Sequence, residues 1–343
     1  MSNNILTNRH DFLLLFEVTN GNPNGDPDAG NMPRLDPNTN RGIVSDVCEK
    51  RKVRNFVDMF PPDRMNPNSN GFTILIKQGN VIEKEQKRAE VTVKDAGSIA
   101  GGTLPERIKN WLCREFYDVR TFGCVLSTGS EVMKGSAFGQ VRGPVQITFG
   151  QSFHSITPLE VAISVCAARS EADGKDGKPP TEQEIAKSAS AQTGIQGRKH
   201  IVPYALYAAK GYVSPAFAER TGFTDADLEL LFQALLNMFE HDRSAARGEM
   251  IVRGLYDFEH VGTQHPNNAA QNRSEARLGC AHAHKLLEGI KVDLSAEAKA
   301  AGKTFPESFA DYDVKCDWTE ANLPKGIKLN LRHEGRSVGP KQG

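Results

Sequence analysis

The sequence has no pair of cysteines spaced C-x-x-C. Its six cysteines, Cys48, Cys113, Cys124, Cys166, Cys280 and Cys316, are scattered along the chain. That excludes a zinc-ribbon pattern, argues against a disulfide framework and fits a reducing cytoplasm. Neither sign of charge is in excess, because 42 Lys and Arg balance 42 Asp and Glu. Net charge therefore points to no polyanion, and a nucleic-acid surface would have to be a local patch offset by acids elsewhere. No apolar run is long enough to span a bilayer. The start, M-S-N-N-I-L-T-N-R-H-D, lacks the apolar stretch of a signal peptide, so a cytoplasmic protein with no membrane partner is expected. Catalytic signatures are missing too: there is no P-loop, no H-E-x-x-H and no G-x-S-x-G. Ser, His and Asp are present, but no spacing ties them into a triad. His282 and His284 are two apart in a predicted helix, hence on different faces, which disfavours metal binding. No cofactor is expected.

At 343 residues the chain is one elaborate domain or two ordinary ones. Its organising stretch is 41–57, R-G-I-V-S-D-V-C-E-K-R-K-V-R-N-F-V, which reads as a helix with a marked start. Ser45 suits the N-cap and Asp46 the positive end of the dipole. Pro61-Pro62 ends it. Val53, Phe56, Val57 and Phe60 fall on one face, which predicts a core-facing side. Lys50, Arg51 and Arg54 form an arc beside that stripe. With the helix N-terminus the arc makes a place for a polyphosphate chain; otherwise it is a solvated basic face.

Before that helix, the apolar run 11–18 predicts a central strand buried on both faces. A long loop follows, crowded with Gly, Pro, Asn and Asp. Its aspartates, Asp26, Asp28 and Asp36, lack EF-hand spacing and fit turn chemistry better than a cation site. Arg34 and Arg41 lie close enough to the helix start to extend its basic arc.

After the helix, 72–77 is expected to be a strand, 83–90 a charged exposed stretch, and 104–117 a helix. Residues 118–153 carry Gly123, Gly135, Gly139 and Gly143 with Arg120, Lys134 and Arg142 interleaved. Such a pattern fits a backbone-lined phosphate groove or glycine turns between hairpin strands. Strands are expected at 159–169, from 200 onward and at 249–258. Tyr204, Tyr207 and Tyr212 offer base-stacking platforms or ordinary half-buried packing. The weakly hydrophobic stretch after 169 reads as a protruding arm. Residues 224–240 are the clearest helix, with Thr224 and Asp227 at capping-box spacing. Arg243, Arg247 and Arg253 add charge after it. A helix over 272–287 and a late strand over 327–332 complete the reading.

Six blocks carry a resemblance: N-G-N-P-N-G-D-P, D-V-C-E-K-R-K-V-R, D-V-R-T-F-G, G-Q-V-R-G-P-V-Q, G-R-K-H-I-V-P-Y-A-L-Y and F-E-H-D-R-S-A-A-R-G-E-M. Over about residues 10–260, and in this order, the chain resembles the repeated backbone subunit (Cas-seven family) of the type I-C CRISPR Cascade complex. The resemblance implies an α+β fold: a single RNA-recognition-motif-like (ferredoxin-like) palm over 1–343. It places a finger-like insertion at about 60–117 and a thumb-like arm at about 168–200, and leaves about 260–343 as an unmatched extension. It further implies a non-catalytic subunit that polymerises along CRISPR RNA. Such a subunit presents the guide to target DNA and contacts further copies of itself and other Cascade subunits. Ser45, Lys50, Arg51 and Arg54 match the family's RNA-binding first helix. Gly139, Gln140, Arg142 and Gly143 match its glycine-rich loop, and Arg198, Lys199 and His200 the base of its thumb. With Arg34, Arg41 and Arg120 these residues make up the candidate RNA surface. The residues themselves agree in kind, since a first strand, a basic helix, inserted excursions, a capped helix and a closing strand suit a split-sheet α+β plan. Two alternatives stand beside this one. One is an endoribonuclease of related fold using Asp26, Asp28 or Asp36, and the other a metal-dependent phosphoryl-transfer enzyme using the acidic loop around 24–36.

Overall fold

In the computed structural model, His10–Gly21 forms strand β1, and the main sheet is assembled around it. The structure describes residues 4–62, 71–95, 102–127, 130–164, 182–183 and 196–333. The thumb-like arm expected at about 168–200 thus falls largely outside the described residues. Following β1 are β2 (Gly25–Asp26), β3 (Met32–Pro33), β4 (Arg41–Val44) and helix α1 (Asp46–Met59). Next come α2 (Ile82–Asp95), α3 (Leu104–Glu115), α4 (Tyr117–Phe122), β5 (Gly123–Val125), β6 (Gln140–Arg142), β7 (Val145–Ile147), β8 (Gly150–Ser155) and β9 (Leu159–Ser164). The chain continues through β10 (Gln196–Val213), α5 (Pro215–Thr221), α6 (Asp225–Asn237) and β11 (Glu249–His260). It closes with α7 (Ala269–Leu278), α8 (Ala283–Glu288), β12 (Ile290–Leu294), α9 (Ala296–Ala300), β13 (Tyr312–Cys316) and β14 (Ile327–His333).

The main sheet runs β14-β11-β1-β10-β8-β4, with β7 and β9 also paired to β10. Every pair in it is antiparallel. Side chains alternate between faces along a strand. Phe12, Leu14, Phe16 and Val18 of β1 join one core with Val53 and Val57 of α1 and Leu228, Leu231 and Leu235 of α6. Leu13 and Leu15 join another with Tyr256, Phe258, Leu286, Leu287, Ile290 and Ile327. This explains why the run is continuously apolar: α1 and α6 cover one face, and segments after residue 260 cover the other. Each such buried side chain contributes roughly 1.5–3 kcal/mol. A third core, with Leu75, Ile108, Leu112 and Val119, lies among residues 75–141.

Local signals held where their partners are close in sequence. Ser45 is the N-cap of α1 and accepts from the Cys48 N–H at 3.4 Å. Thr224 and Asp227 close a full capping box on α6.

Other expectations are corrected. Residues 72–77 are not a strand; Thr73 makes one isolated bridge to Phe116, while the Leu75 and Ile76 N–H groups donate to the Asp118 carboxylate at 2.8 and 3.0 Å. The charged stretch at 83–90 lies within helix α2, which buries Gln86, Ala89 and Val93. The helix expected over 272–287 is two helices, α7 and α8, parted at Gly279, whose φ of 108° no helix allows. The tyrosines pack and do not display. Tyr204 donates to Glu17 at 2.9 Å, and Tyr207 is fully buried with its ring stacked 5.3 Å from Phe16. Tyr212 packs against the Leu13 core. Among the described residues no helix is long and apolar enough to cross a membrane.

Candidate nucleic-acid interface

The start of α1 is held by the loop before it. Asn24 Oδ1 accepts from both the Ser45 N–H, at 2.9 Å, and the Ser45 hydroxyl, at 2.8 Å. The Arg34 N–H donates to Asn24 O at 3.3 Å, and the Ile43 N–H donates to Arg34 O at 2.8 Å. Arg34, Asn24 and Ser45 are thus one assembled corner. Arg41 stands exposed on edge strand β4, opposite Ser155 of β8. Two of the loop's aspartates, Asp26 and Asp36, serve the turns, while Asp28 is exposed. Asp26 accepts from the Asp28 N–H at 3.2 Å and pairs with Arg34 at 3.3 Å, and Asp36 accepts from the Asn38 N–H at 2.9 Å. Among the described residues no group of three or more His, Cys, Asp or Glu could hold a metal ion.

The basic arc of α1 divides into three fates. Arg51 is exposed, on a groove it shares with Lys77. Lys50 is tethered to Asp46, one turn back, at 2.8 Å. Arg54 is committed inward: its Nε lies 2.9 Å from Asp118, which is fully buried, and its guanidinium sits 5.2 Å over the Phe122 ring. Arg120 is further inside. It grips both oxygens of Asp227, at 2.7 and 3.0 Å, and also donates to the carbonyls of Gly71, Cys113 and Arg114. The two ion pairs tie residues 71–122 to α1 and α6; Arg120 is 6% exposed, whereas Arg54 also lines the groove that Arg51 borders. Beneath the arc, Glu49 is buried and neither carboxylate oxygen has a hydrogen-bond partner. Burial first, and Asp46 second, push its carboxyl well above the ordinary range.

The glycine block also turns inward. Gly123 and Gly143 lie where two backbones cross. A Cβ on Gly143 would meet Thr121 O at 2.3 Å and the Gly123 nitrogen at 2.5 Å, and Gly123 has φ 84°. Those two glycines let one backbone cross closely over the other. Gly139 is buried, while Gln140 and Arg142 are exposed. Arg142 lies 4.5 Å over the Phe217 ring of α5, in a groove shared with Lys109 and Arg220. It therefore faces α5 and not the start of α1.

A family model described as CRISPR-associated protein Cas7 matches residues 8–317. The chain belongs to the Cas7 family. A CRISPR-associated protein Cas7 from Haloferax volcanii is 26% identical over 242 residues, covering 65% of this chain and 62% of the relative. The chain thus spans less than two thirds of that relative's length. Among solved structures, a chain of a CRISPR RNA-guided surveillance complex in a pre-nicking state is 16% identical, with a TM-score of 0.43. That match covers 76% of this chain and 80% of the other. A second chain, from a CRISPR RNA-guided surveillance complex, is 14% identical with a TM-score of 0.39, covering 82% and 80%.

In this Cas7-family chain the start of β10 reaches the same corner as α1. Arg198 is exposed and paired with Glu160 at 2.9 Å, His200 is half-buried, and Lys199 Nζ donates to Ala245 O at 3.5 Å. The loop that supplies Ala245 also supplies the Ala246 carbonyl, which accepts from the Asn22 N–H at 2.6 Å. It supplies Asp242 as well, which pairs with Lys52 of α1 and with Arg247, the latter at 2.9 Å. Arg34 and Ser45 thus share the Asn24 corner, with Lys50 and Arg51 on the helix that Ser45 caps. Lys199 reaches Ala245 of the loop that pairs with Lys52, Arg41 lies at the other end of β4 opposite Ser155, Arg142 lies in the α5 groove, and Arg120 is buried. Sequence reasoning named Arg243 and Arg247 as charge after the second helix but missed Asn24 as the clamp on Ser45 and Asp242 as the carboxylate that pairs with Lys52 and Arg247. The N-P-N-G and H-D-R-S-A-A-R runs were the available signals.

Proposed function

We propose that this Cas7-family chain is a non-catalytic CRISPR RNA-binding subunit of a type I-C surveillance complex. Copies of it polymerise along the guide in the cytoplasm and present it for pairing with target DNA, together with other Cascade subunits. The observation that carries the reading is exposed Arg51 on α1, whose N-capped start is clamped by Asn24 and flanked by Arg34. Such a terminus with cations beside it suits sugar–phosphate. The order β11-β1-β10-β8, with α1 after β1 and α6 between β10 and β11, supports an RNA-recognition-motif-like palm. The type I-C assignment rests on the resemblance of the six sequence blocks.

The covered sheet face favours backbone contact over base readout. In the Leu13 core, Leu286, Leu287 and Ile290 fill much of the face on which bases would otherwise stack. Affinity should then be independent of sequence and steep in salt. Asp26 and Asp36 of the loop before α1 are engaged by backbone N–H groups and, for Asp26, by Arg34, which supports a scaffold role for these two.

The structure selects the variant that tests this. Arg54 is a poor probe, because its removal would strand buried Asp118. Arg41→Ala with Arg51→Ala removes two exposed cations. For single-stranded RNA, the slope of log affinity against log salt should flatten by about 1.4, or about 0.7 per phosphate contact, equally on two unrelated sequences. Wild-type affinity and slope in a folded double variant would remove α1 from the RNA path.

A further inference from the structure

A groove of about 560 Å³ lies between α3, the β5–β6 hairpin and α5. Residues two apart on a strand share a face, so β6 brings Gln140 and Arg142 to the groove together, while Val141 joins the core of residues 75–141. Arg220, in the last turn of α5, lines it too. Both arginines meet one ring: the Arg142 guanidinium is 4.5 Å from the Phe217 centroid and that of Arg220 5.7 Å. Lys109 of α3 adds a third cation, and its Nζ donates to Arg220 O at 2.6 Å. The walls are thus fastened to one another before any ligand arrives. Two carboxylates also line the groove, Glu106 and Glu219. Glu219 is already paired with Arg277 of α7. Among the described residues no carboxylate pairs with Arg142 or Arg220. Positive charge is therefore in excess here.

We propose that this groove docks an acidic peptide segment of a partner protein, with Arg142 and Arg220 each on a carboxylate. The proposal goes beyond the RNA-subunit reading and does not depend on it. A guanidinium stacked on a ring keeps its planar fork free for a bidentate pair with a carboxylate, and the stacking holds the fork in place beforehand. Phe138 and Phe217, both half-buried, offer apolar contacts to side chains between the acids. A nucleic-acid strand fits less well. Glu106 and Glu219 would repel a continuous run of phosphates, and Arg142 already lies over the ring on which a base would stack. Carboxylates on a peptide are discrete and can be spaced to avoid both glutamates.

The test follows a fluorescein-labelled synthetic peptide repeating Glu-Glu-Leu by anisotropy as the full chain is added at low salt, with a Gln-Gln-Leu peptide as control. The wild type should bind the acidic peptide and not the control. Arg142→Gln with Arg220→Gln should weaken that binding at least about tenfold, since two charge-assisted contacts are lost. Arg142→Glu with Arg220→Glu should lose the acidic peptide and gain a Lys-Lys-Leu peptide, a reversal that a merely structural role would not produce. Urea unfolding checks that both double variants are folded. Wild-type protein that ignores the acidic peptide would overturn the proposal, as would folded variants that bind it as tightly as the wild type. Single-stranded RNA binding that falls in the glutamine variant as far as peptide binding does would assign the groove to nucleic acid and overturn it too.

Discussion

Arg120→Ala should destabilise the chain by about 3–5 kcal/mol, the cost of breaking a buried ion pair by removing one partner. Asp227 is 3% exposed, so its carboxylate would stay behind uncompensated. It is also the N3 residue of the α6 capping box, which couples the loss to the start of that helix. The carbonyls of Gly71, Cys113 and Arg114 would lose their shared donor. Arg120→Lys should rescue little, because an ammonium cannot reproduce the bidentate grip and reach three carbonyls together. Urea unfolding checks the loss. Whatever protein remains folded should bind RNA with the wild-type salt slope. Near-wild-type stability with weakened RNA binding would return Arg120 to the RNA surface.

Gly143→Ala should cost about 3 kcal/mol, the upper part of the range for overpacking. The added carbon would lie 2.3 Å from Thr121 O and 2.4 Å from the carbonyl carbon of Phe122. Both are backbone atoms, so no side chain can rotate away. Relief requires the β5–β6 hairpin to part from the end of α4, next to the ring under Lys50 and Arg54. Gly248→Ala is the control. Its Cβ would meet nothing within 4 Å, and the change should stay within about 0.5 kcal/mol. Thermal or urea unfolding of both variants reads the difference. A stable Gly143→Ala protein with impaired RNA binding would favour ligand approach over chain crossing as the reason for the glycine.

These two residues show where the sequence could be read and where it could not. The Ser45 cap and the Thr224–Asp227 box were legible because donor and acceptor are three residues apart. The β1 run was legible because burial on both faces writes itself as uninterrupted apolar residues. Arg54 and Arg120 were not, since their carboxylates are 64 and 107 residues away. On a helical wheel an arginine facing a distant buried aspartate looks the same as one facing solvent. The 72–77 segment failed similarly, as the side chain of Asp118 takes amides that a neighbouring strand would have taken. In α2 the inward stripe is Gln86, Ala89 and Val93, too weakly apolar to stand out against the charged residues around it. The six resembling blocks end near residue 260, whereas the family model reaches residue 317, and the segments after 260 close the second face of the sheet. Their signal was the scattered Tyr312, Trp318 and Ile327, whose common target becomes visible only in three dimensions.

Among the candidate site residues, Arg51 stands exposed on α1 beyond its clamped start, Arg54 pairs with buried Asp118 while lining the same groove, and Gly143 sits where two backbones cross. The proposed scaffold role asks this surface to hold a strand without cutting it. The most direct test of that claim is incubation of the purified chain with end-labelled single-stranded RNA in Mg²⁺ and, separately, in EDTA, followed by a brief ribonuclease challenge. A scaffold leaves the RNA intact in both buffers and protects it at a regular spacing along its length. Metal-dependent cleavage, or RNA as open to the ribonuclease as it is without protein, would contradict the account.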